Sequence, residues 1–208
     1  MVVPLALVAG PGGTSVASAD EQALSRVHIR IDGAPDGRGF AVEFTAAVAA
    51  PAANVAAALA DMATYPAWVP RVRAVRPIAP EADSEATAAF DSTIGLPWPV
   101  GDVHEQVAMS REDEGGEVRM RWDHVRGDMR RNAVVWTVTP IDAEHTAVRY
   151  EARLWFKGWL PVFLLRLAER DYAPWFVDCL ERRAAALGSA AEPPQQAARN
   201  VVTPRSSL

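Results

Sequence analysis

Two ionisable side chains fall on apolar faces of strand-like segments, and a third falls on the apolar face of a helix. Glu105 and His124 each alternate with apolar residues, and Asp171 shares a helical face with Leu164. Side chains two residues apart lie on the same face of a strand, so we expect Glu105 and His124 to point inward. A carboxylate and an imidazole that meet in a cavity can transfer protons or orient the polar end of a ligand.

Each of these three groups taken alone has a structural explanation. Burying an unpaired charge is costly, so inward ionisable groups are usually paired, neutral or near an edge that water reaches. Two of the three meeting in one cavity would instead favour ligand recognition or acid–base chemistry. The distances between Glu105, His124 and Asp171 therefore separate the two interpretations.

Other common chemistries lack their sequence patterns. The four histidines lie in separate predicted elements without H-x-x-x-H or H-E-x-x-H spacing, so we expect no metal site. Neither a G-x-S-x-G sequence, a P-loop nor a dinucleotide fingerprint is present, and we expect no cofactor. The single cysteine, Cys179, excludes an internal disulfide and is expected to be a small buried apolar residue.

Length and charge limit the class of protein. A chain of 208 residues that is 50% hydrophobic and 23% charged can bury one good core. The net charge of −5 argues against a nucleic-acid partner held by bulk charge. We expect one domain, and a monomer.

The two ends of the chain differ from the rest. Residues 1–19 hold a short apolar run and then an A-x-A sequence at Ala17, which predicts a signal peptide or a flexible N-terminus. The first interpretation places the protein in the periplasm or outside the cell, and the second leaves a cytoplasmic location open. Residues 189–208 have few large apolar side chains and are expected to be disordered. The predicted domain is 20–188.

The middle of the chain is dominated by strand patterns. Alternation with a period of two predicts strands at Arg26–Asp32, Phe40–Val48, Val72–Ile78, Glu85–Ile94, Asp102–Ser110, Glu117–His124, Asn132–Thr139 and Thr146–Leu154. An alanine-rich helix is predicted over 51–63, ending before Tyr65 because the residue ahead of a proline disfavours helical geometry. A short helix or turn follows. Strands joined by short links predict an antiparallel sheet that buries one face.

A long amphipathic segment, Gly158–Gly188, closes the pattern. Pro161 and Gly188 suit the two ends of a helix, and Pro174 interrupts it, which predicts one kinked helix or two abutting helices. The apolar residues on each side of Pro174 form two stripes. They are Leu160, Leu164, Leu167 and Ala168 before it, and Trp175, Phe176, Cys179 and Leu180 after it. This helix is the natural cover for the buried face of the sheet, giving an α+β domain.

The order of elements resembles the START-like lipid-binding families of the SRPBCC superfamily, which have the helix-grip fold. The resemblance rests on Ala49-Ala50-Pro51, Tyr65-Pro66-Ala67-Trp68-Val69-Pro70, Leu96-Pro97-Trp98-Pro99-Val100, Trp136-Thr137-Val138-Thr139-Pro140 and Gly158-Trp159-Leu160-Pro161. Many bacterial relatives continue the LPWPV-type segment with an Arg-Asp pair, whereas this chain has Gly101-Asp102. The resemblance implies a curved antiparallel sheet wrapped around a long C-terminal helix.

The resemblance also implies a function. We expect a carrier that binds one hydrophobic or amphipathic molecule, such as a lipid, sterol-like or isoprenoid compound, between sheet and helix. The alternative is a polyketide cyclase or aromatase that uses Glu105, His124 or Asp171 as acid or base. A third hypothesis, a protein-binding adaptor, predicts a filled interior.

The carrier hypothesis predicts which residues contact the ligand. They are Trp98, Glu105, Met120, Trp122, His124, Trp136, Tyr150, Trp159, Leu164, Asp171 and Trp175. Trp98 and Trp159 lie in loops bounded by proline and glycine, where a tryptophan can form a lid or contact a membrane transiently.

Overall fold

The computed structural model describes residues 27–34, 39–82, 84–96, 101–157 and 162–191, and for residues 162–171, 190 and 191 it describes the backbone alone. Predictions about Trp98, Trp159 and the two termini lie outside the described residues. The side chains of Leu164 and Asp171 lie outside them as well.

Eight antiparallel strands form one sheet, as the alternating patterns predict. They are β1 His28–Gly33, β2 Gly39–Val48, β3 Val72–Ile78, β4 Ala88–Leu96, β5 Gly101–Glu114, β6 Glu117–Gly127, β7 Met129–Pro140 and β8 Thr146–Phe156. Their order across the sheet is β1-β2-β8-β7-β6-β5-β4-β3. Strands β3 to β8 follow one another as a meander, and β2 pairs with β8 to extend it. The α+β helix-grip prediction is confirmed.

Alternation along the strands places one face of the sheet in the core. In β2, for example, Phe40, Val42 and Phe44 are all at most 3% exposed, while the intervening residues are only partly buried. In β7 the buried residues are again every second one, including Val134 and Trp136. The inward face of the sheet is therefore apolar and rich in aromatic rings, and it needs a cover.

Helical segments lie between β2 and β3. Helix α1 is Ala52–Ala60, a 3-10 turn follows at Met62–Thr64, and helix α2 is the single turn Tyr65–Trp68. The expectation that Tyr65 leaves helical geometry is wrong, because its φ of −52° and ψ of −40° are helical. The buried hydroxyl of Tyr65 donates a 2.6 Å hydrogen bond to the carbonyl oxygen of Leu59, which holds the side chain in place. Tertiary contact here outweighs the local preference.

The long C-terminal helix, α3, is Val162–Ala191 and contains Pro174. It is one continuous helix, so the alternative of two abutting helices is wrong. Gly188 does not end it, because the helix runs three residues further. A Cβ atom at Gly188 would lie 2.8 Å from the side-chain nitrogen of Asn54 in α1. The glycine therefore serves the close packing of two helices rather than a helix end.

The buried face of α3 differs from the predicted stripe. Ala173, Phe176, Val177, Leu180 and Ala184 are buried and recur at helical spacing. Trp175, predicted to share that stripe, is 49% exposed, and this prediction is wrong. Its position one residue from Phe176 rotates it about 100° away from the sheet.

Candidate ligand-binding cavity

An apolar cavity of about 160 Å³ lies between the inward face of the sheet and α3. Its described lining comes from the strands β2 to β8, from the segment around α2, and from α3 through Tyr172 and Phe176. A cavity of about 150 Å³ lined by apolar groups can hold a benzene-sized molecule without water. The space present in this conformation therefore fits one ring-sized group.

Aromatic rings build one wall of this cavity. Trp136 contacts Tyr150 at 4.6 Å, Phe176 at 5.2 Å and Phe44 at 5.6 Å between ring centroids. Trp122 lies 6.2 Å from Trp136 in a tilted, edge-on arrangement. Such packed rings form a rigid surface that suits a flat apolar molecule.

Three polar atoms are buried in this otherwise apolar lining. They are the indole nitrogens of Trp122 and Trp136 and the side-chain oxygen of Asn132, and none has a hydrogen-bond partner among the described residues. All three side chains are at most 8% exposed, and all three line the cavity. A buried polar group without a partner costs about 1–3 kcal/mol, so these three atoms are an unfavourable feature of the cavity wall.

Of the three ionisable side chains that the sequence singles out, Glu105 and His124 contact each other. Oε2 of Glu105 lies 2.6 Å from Nδ1 of His124, and the Glu105 side chain is completely buried. Its other oxygen, Oε1, accepts a 2.5 Å hydrogen bond from the backbone N–H of Met129. Neither Glu105 nor His124 is among the described residues that line the cavity. The pair therefore holds the β6–β7 turn against β5, next to the lining residue Met129.

Gly127 makes this arrangement possible. Its φ is +146°, and a Cβ atom there would lie 2.3 Å from the carbonyl oxygen of His104 and 2.8 Å from Oε1 of Glu105. Only glycine combines this backbone conformation with such a close approach. The turn between β6 and β7 is thus shaped around the buried carboxylate.

One basic side chain approaches the cavity on its partly exposed side. Arg71 has φ of +68°, and its Cζ lies 4.9 Å from the centre of the Tyr172 ring in α3. A positive φ is unfavourable for a residue with a Cβ, and such conformations are held by their surroundings. Here the Arg71 carbonyl accepts a 2.8 Å hydrogen bond from Gly95. The contact of Arg71 with Tyr172 joins the segment before β3 to α3.

The predicted ligand contacts fall into three groups. Trp122, Trp136 and Tyr150 line the cavity. A second group is described but is not among the lining residues: Glu105, Met120, His124 and the outward-facing Trp175. The third group, Trp98, Trp159 and the side chains of Leu164 and Asp171, lies outside the described residues.

Sequence reasoning singled out only Trp122, Trp136 and Tyr150 among the described lining residues, and Asn132 and Arg71 show why others were missed. Asn132 was placed in a strand but not singled out, although it shares the parity of Val134 and Trp136 and could have been found by the same argument. Arg71 had no comparable pattern, because it lies between elements and reaches the cavity through an unusual backbone conformation.

The described residues contain neither a cluster of metal ligands nor a helix that could span a membrane. No group of three histidine, cysteine, aspartate or glutamate side chains in the described ranges is placed to hold a metal ion. No helix in the same ranges has the length and apolarity needed to cross a membrane.

Solved structures with the same fold include a START superfamily protein, a lipid transfer protein and an aromatase/cyclase. A START superfamily protein from Mycobacterium smegmatis is 17% identical, with a TM-score of 0.59, over 71% of this chain and 98% of that one. Human StAR-related lipid transfer protein 5 is 9% identical, with a TM-score of 0.62, over 79% of this chain and 88% of that one. The Zhui aromatase/cyclase from Streptomyces sp. R1128 is 15% identical, with a TM-score of 0.56, over 79% and 98%. At these identities the likeness concerns the fold.

Sequence comparison identifies the family. No curated protein matches the chain significantly. The family model described as polyketide cyclase / dehydrase and lipid transport matches residues 48–181. That span runs from the end of β2 into the second half of α3 and covers more than half of the chain. The chain therefore belongs to the polyketide cyclase / dehydrase and lipid transport family.

Proposed function

We propose that the protein is a non-enzymatic carrier that binds one hydrophobic or amphipathic small molecule in the cavity between the sheet and α3. The observation that carries this proposal is the apolar, aromatic cavity itself, which lies where the fold brings the inward face of the sheet under α3. Affinity would come from burial of apolar surface, at about 25 cal/mol per Å². An adaptor with a filled interior is less consistent with this cavity.

Binding is favoured over catalysis by the position of the acid–base candidates. A general acid or base must reach the reacting atoms directly or through one water molecule. Glu105 is completely buried and is already bonded to His124 and to the Met129 backbone, outside the described cavity lining. A cyclase using this pair would need the β5–β6 wall to open. Asp171, the third candidate, lies outside the described side chains.

The cavity is smaller than the sites that usually enclose drug-sized ligands. Ligand sites for drug-sized molecules usually enclose about 300–1,000 Å³, which exceeds the 160 Å³ present here. A ligand larger than one ring would therefore enter only if α3 moved away from the sheet. We propose that the cavity expands in this way around its ligand.

A cavity-filling substitution tests the carrier proposal. Val134 lines the cavity, whereas Val135 on the same strand points to the opposite face of the sheet. In native mass spectrometry of the protein incubated with mixed lipids, we expect the wild type and Val135→Phe to retain a bound molecule. Val134→Phe should lose it, with affinity lowered at least about tenfold, because the added ring occupies the space.

The control variant, Val135→Phe, shows whether the loss of bound ligand is specific to the cavity face of the strand. Equal loss in Val134→Phe and Val135→Phe would place the binding site elsewhere. Persistent absence of any bound lipid from the wild type, across lipid classes, would contradict the carrier proposal.

A further inference from the structure

The charged residues of the sheet are divided between its two ends, and one end borders the cavity. We propose that this end docks on the anionic head groups of a lipid bilayer, an inference that rests on the proposed function. We call it the basic end. It is defined by four exposed cations at the start of β7 and around the end of β8: Arg130, Arg131, Arg153 and Lys157.

The opposite ends of the same strands carry the opposite charge. The β5–β6 turn and the β7–β8 turn lie there, because β5 ends at Glu114 and β7 ends at Pro140. Asp113 pairs with Arg111 at 2.9 Å, and Asp142 pairs with His145. The net charge of −5 is therefore an average over two unlike ends. The exposed acidic side chains of the acidic end are Glu112, Asp113, Glu114, Glu117, Asp142 and Glu144.

The cations of the basic end are available to an external anion. None of the four forms an ion pair with a carboxylate among the described residues. Cζ of Arg131 lies 5.8 Å from the centre of the Trp155 ring, and Lys157 donates to the carbonyl oxygen of Gly127. Asp128, the carboxylate of the adjacent turn, already accepts a 2.8 Å hydrogen bond from a backbone N–H of β5.

The basic end lies directly beside the cavity. Met129 and Phe156 are partners across β7 and β8, and both line the cavity. Arg130 follows Met129 in the chain and Lys157 follows Phe156, so a cation stands next to each of these lining residues. The lining residues of β7 extend only as far as Trp136, short of the acidic end. A bilayer that contacts the basic end would therefore lie next to the cavity.

Trp155 favours a bilayer over an acidic protein as the partner. Its side chain is partly exposed and lies among the cations, on the same face of the sheet as Arg131 and Arg153. Tryptophan is enriched where a membrane meets water, and exposed lysine and arginine are attracted to anionic lipid head groups. A carrier of a hydrophobic molecule must also exchange its ligand with a phase that dissolves it, as a bilayer does.

The distance between the two ends allows an acidic protein to bind an anionic surface. Arg131 and Thr139 are eight residues apart on β7, which spans about 26 Å, and Thr139 donates to Glu117 of the acidic end at 3.1 Å. The Debye length at physiological ionic strength is about 8 Å. Repulsion of the acidic end is therefore screened when the basic end touches the bilayer, and the reverse orientation is disfavoured.

Flotation with lipid vesicles measures the docking. The probes are vesicles of phosphatidylcholine alone and vesicles of phosphatidylcholine mixed with phosphatidylserine. We expect the wild type to bind the phosphatidylserine vesicles at least about tenfold more tightly. This preference should disappear as the ionic strength rises from about 0.1 M to about 1 M, because the Debye length falls from about 10 Å to about 3 Å.

Two double variants with the same net charge locate the docking surface. Arg130→Gln/Arg153→Gln removes two cations from the basic end, and we expect it to bind phosphatidylserine vesicles at least about tenfold more weakly. Arg119→Gln/Arg182→Gln removes two exposed cations of β6 and α3 that lie away from the basic end. This control should bind the vesicles as the wild type does.

The test distinguishes docking from ligand binding. Val134→Phe should dock as the wild type does although it loses its ligand, whereas Arg130→Gln/Arg153→Gln should retain its ligand in solution. Equal binding to both kinds of vesicle, or equal loss in both double variants, overturns the docking and leaves the carrier proposal standing. Binding of soluble polyglutamate without binding of phosphatidylserine vesicles overturns it in favour of an acidic protein partner. Docking by a wild type that never holds a lipid supports the basic end as a membrane surface and contradicts the carrier proposal.

Discussion

At the scale of single residues, Tyr65 connects the cavity wall to helix α1. Its hydroxyl donates to the carbonyl of Leu59, and its ring packs against Trp68 at 5.0 Å and Trp122 at 6.1 Å. Burial raises the pKa of the Tyr65 hydroxyl well above its ordinary value of 10.0, and the nearby Tyr172, Asp61 and Tyr150 raise it further. The folded protein therefore favours the protonated form of the Tyr65 hydroxyl.

This raised pKa predicts a pH dependence of stability. In the unfolded chain Tyr65 ionises near pH 10, whereas in the folded protein it stays protonated to higher pH. Its stabilising contribution is therefore complete below about pH 10 and is lost as the pH rises towards the folded-state pKa. Tyr65→Phe should lower the free energy of unfolding by about 1 kcal/mol at neutral pH. Urea unfolding of both proteins should show this difference shrinking above about pH 10.

The comparison between the two proteins removes the contribution of other alkaline groups. Those groups titrate alike in the wild type and in Tyr65→Phe. A difference that stays constant across the alkaline range would show that Tyr65 ionises equally in the folded and unfolded states. That result would contradict the burial argument.

Strand parity explains which single residues the sequence predicts well. It predicts that Trp122 and Trp136 lie on the inward face of the sheet, and that Glu105 and His124 both point inward, because every second side chain of a strand points the same way. Parity could not show that Glu105 and His124 bond to each other and to the β6–β7 turn without lining the described cavity. That outcome depends on the turn at Gly127, whose close packing has no signature in a one-dimensional pattern.

At the scale of elements, Pro174 is the unusual feature of α3. The residue is exposed and lies inside a continuous helix, where a proline removes one backbone hydrogen bond and crowds the preceding turn. A helix weakened at one point can bend there. Because the buried residues Ala173 and Phe176 flank this point, bending would change the distance between α3 and the cavity.

Replacing Pro174 with alanine tests this weakness. Pro174→Ala should raise the free energy of unfolding by about 1–3 kcal/mol, because a helical hydrogen bond is restored and an exposed side chain is exchanged. We expect the rates of ligand uptake and release, measured by stopped-flow fluorescence, to fall together several-fold. Equilibrium affinity should change little. If Pro174→Ala is more stable but its rates of ligand uptake and release are unchanged, Pro174 has no role in opening the cavity.

Element boundaries show where sequence reasoning stops. Gly188 was interpreted as a helix end, yet it lies inside α3 and faces Asn54 of another helix. A glycine permits both a left-handed helix end and a close approach of two helices. Distinguishing these uses requires knowing where α1 packs, which is information from a segment more than a hundred residues away.

At the scale of the whole molecule, the cavity depends on long-range pairing. The pairing of β2 with β8 brings Phe44 next to Tyr150, and the meander places β3 at the far edge of the sheet. Local patterns predict each strand but not the curvature that leaves about 160 Å³ open under α3. The fold could therefore be predicted from the sequence, whereas the volume and polarity of the cavity could not.

Transfer between membranes is the prediction that concerns the whole protein. If Trp98 and Trp159, which are flanked in the sequence by proline and glycine, contact a membrane during unloading, replacing both with alanine should slow lipid transfer between vesicles several-fold. Lipid binding in solution should be retained. Trp68→Phe serves as a control for tryptophan loss. Unchanged transfer by the double variant would exclude these two tryptophans from the membrane contact.

The packing of Gly188 against α1 also fixes how far α3 can swing. Arg183 lies 3.3 Å from Asp61 near the same contact, so this end of the helix is tied twice to the helical segment that precedes β3. If α3 bends at Pro174, a rise of about 1.5 Å per residue makes Val162 to Pro174 a lever about 18 Å long. Rotation by about 20° around Pro174 would displace Val162 by about 6 Å. The length of this lever, more than the resting volume of the cavity, would then set the largest molecule that can enter.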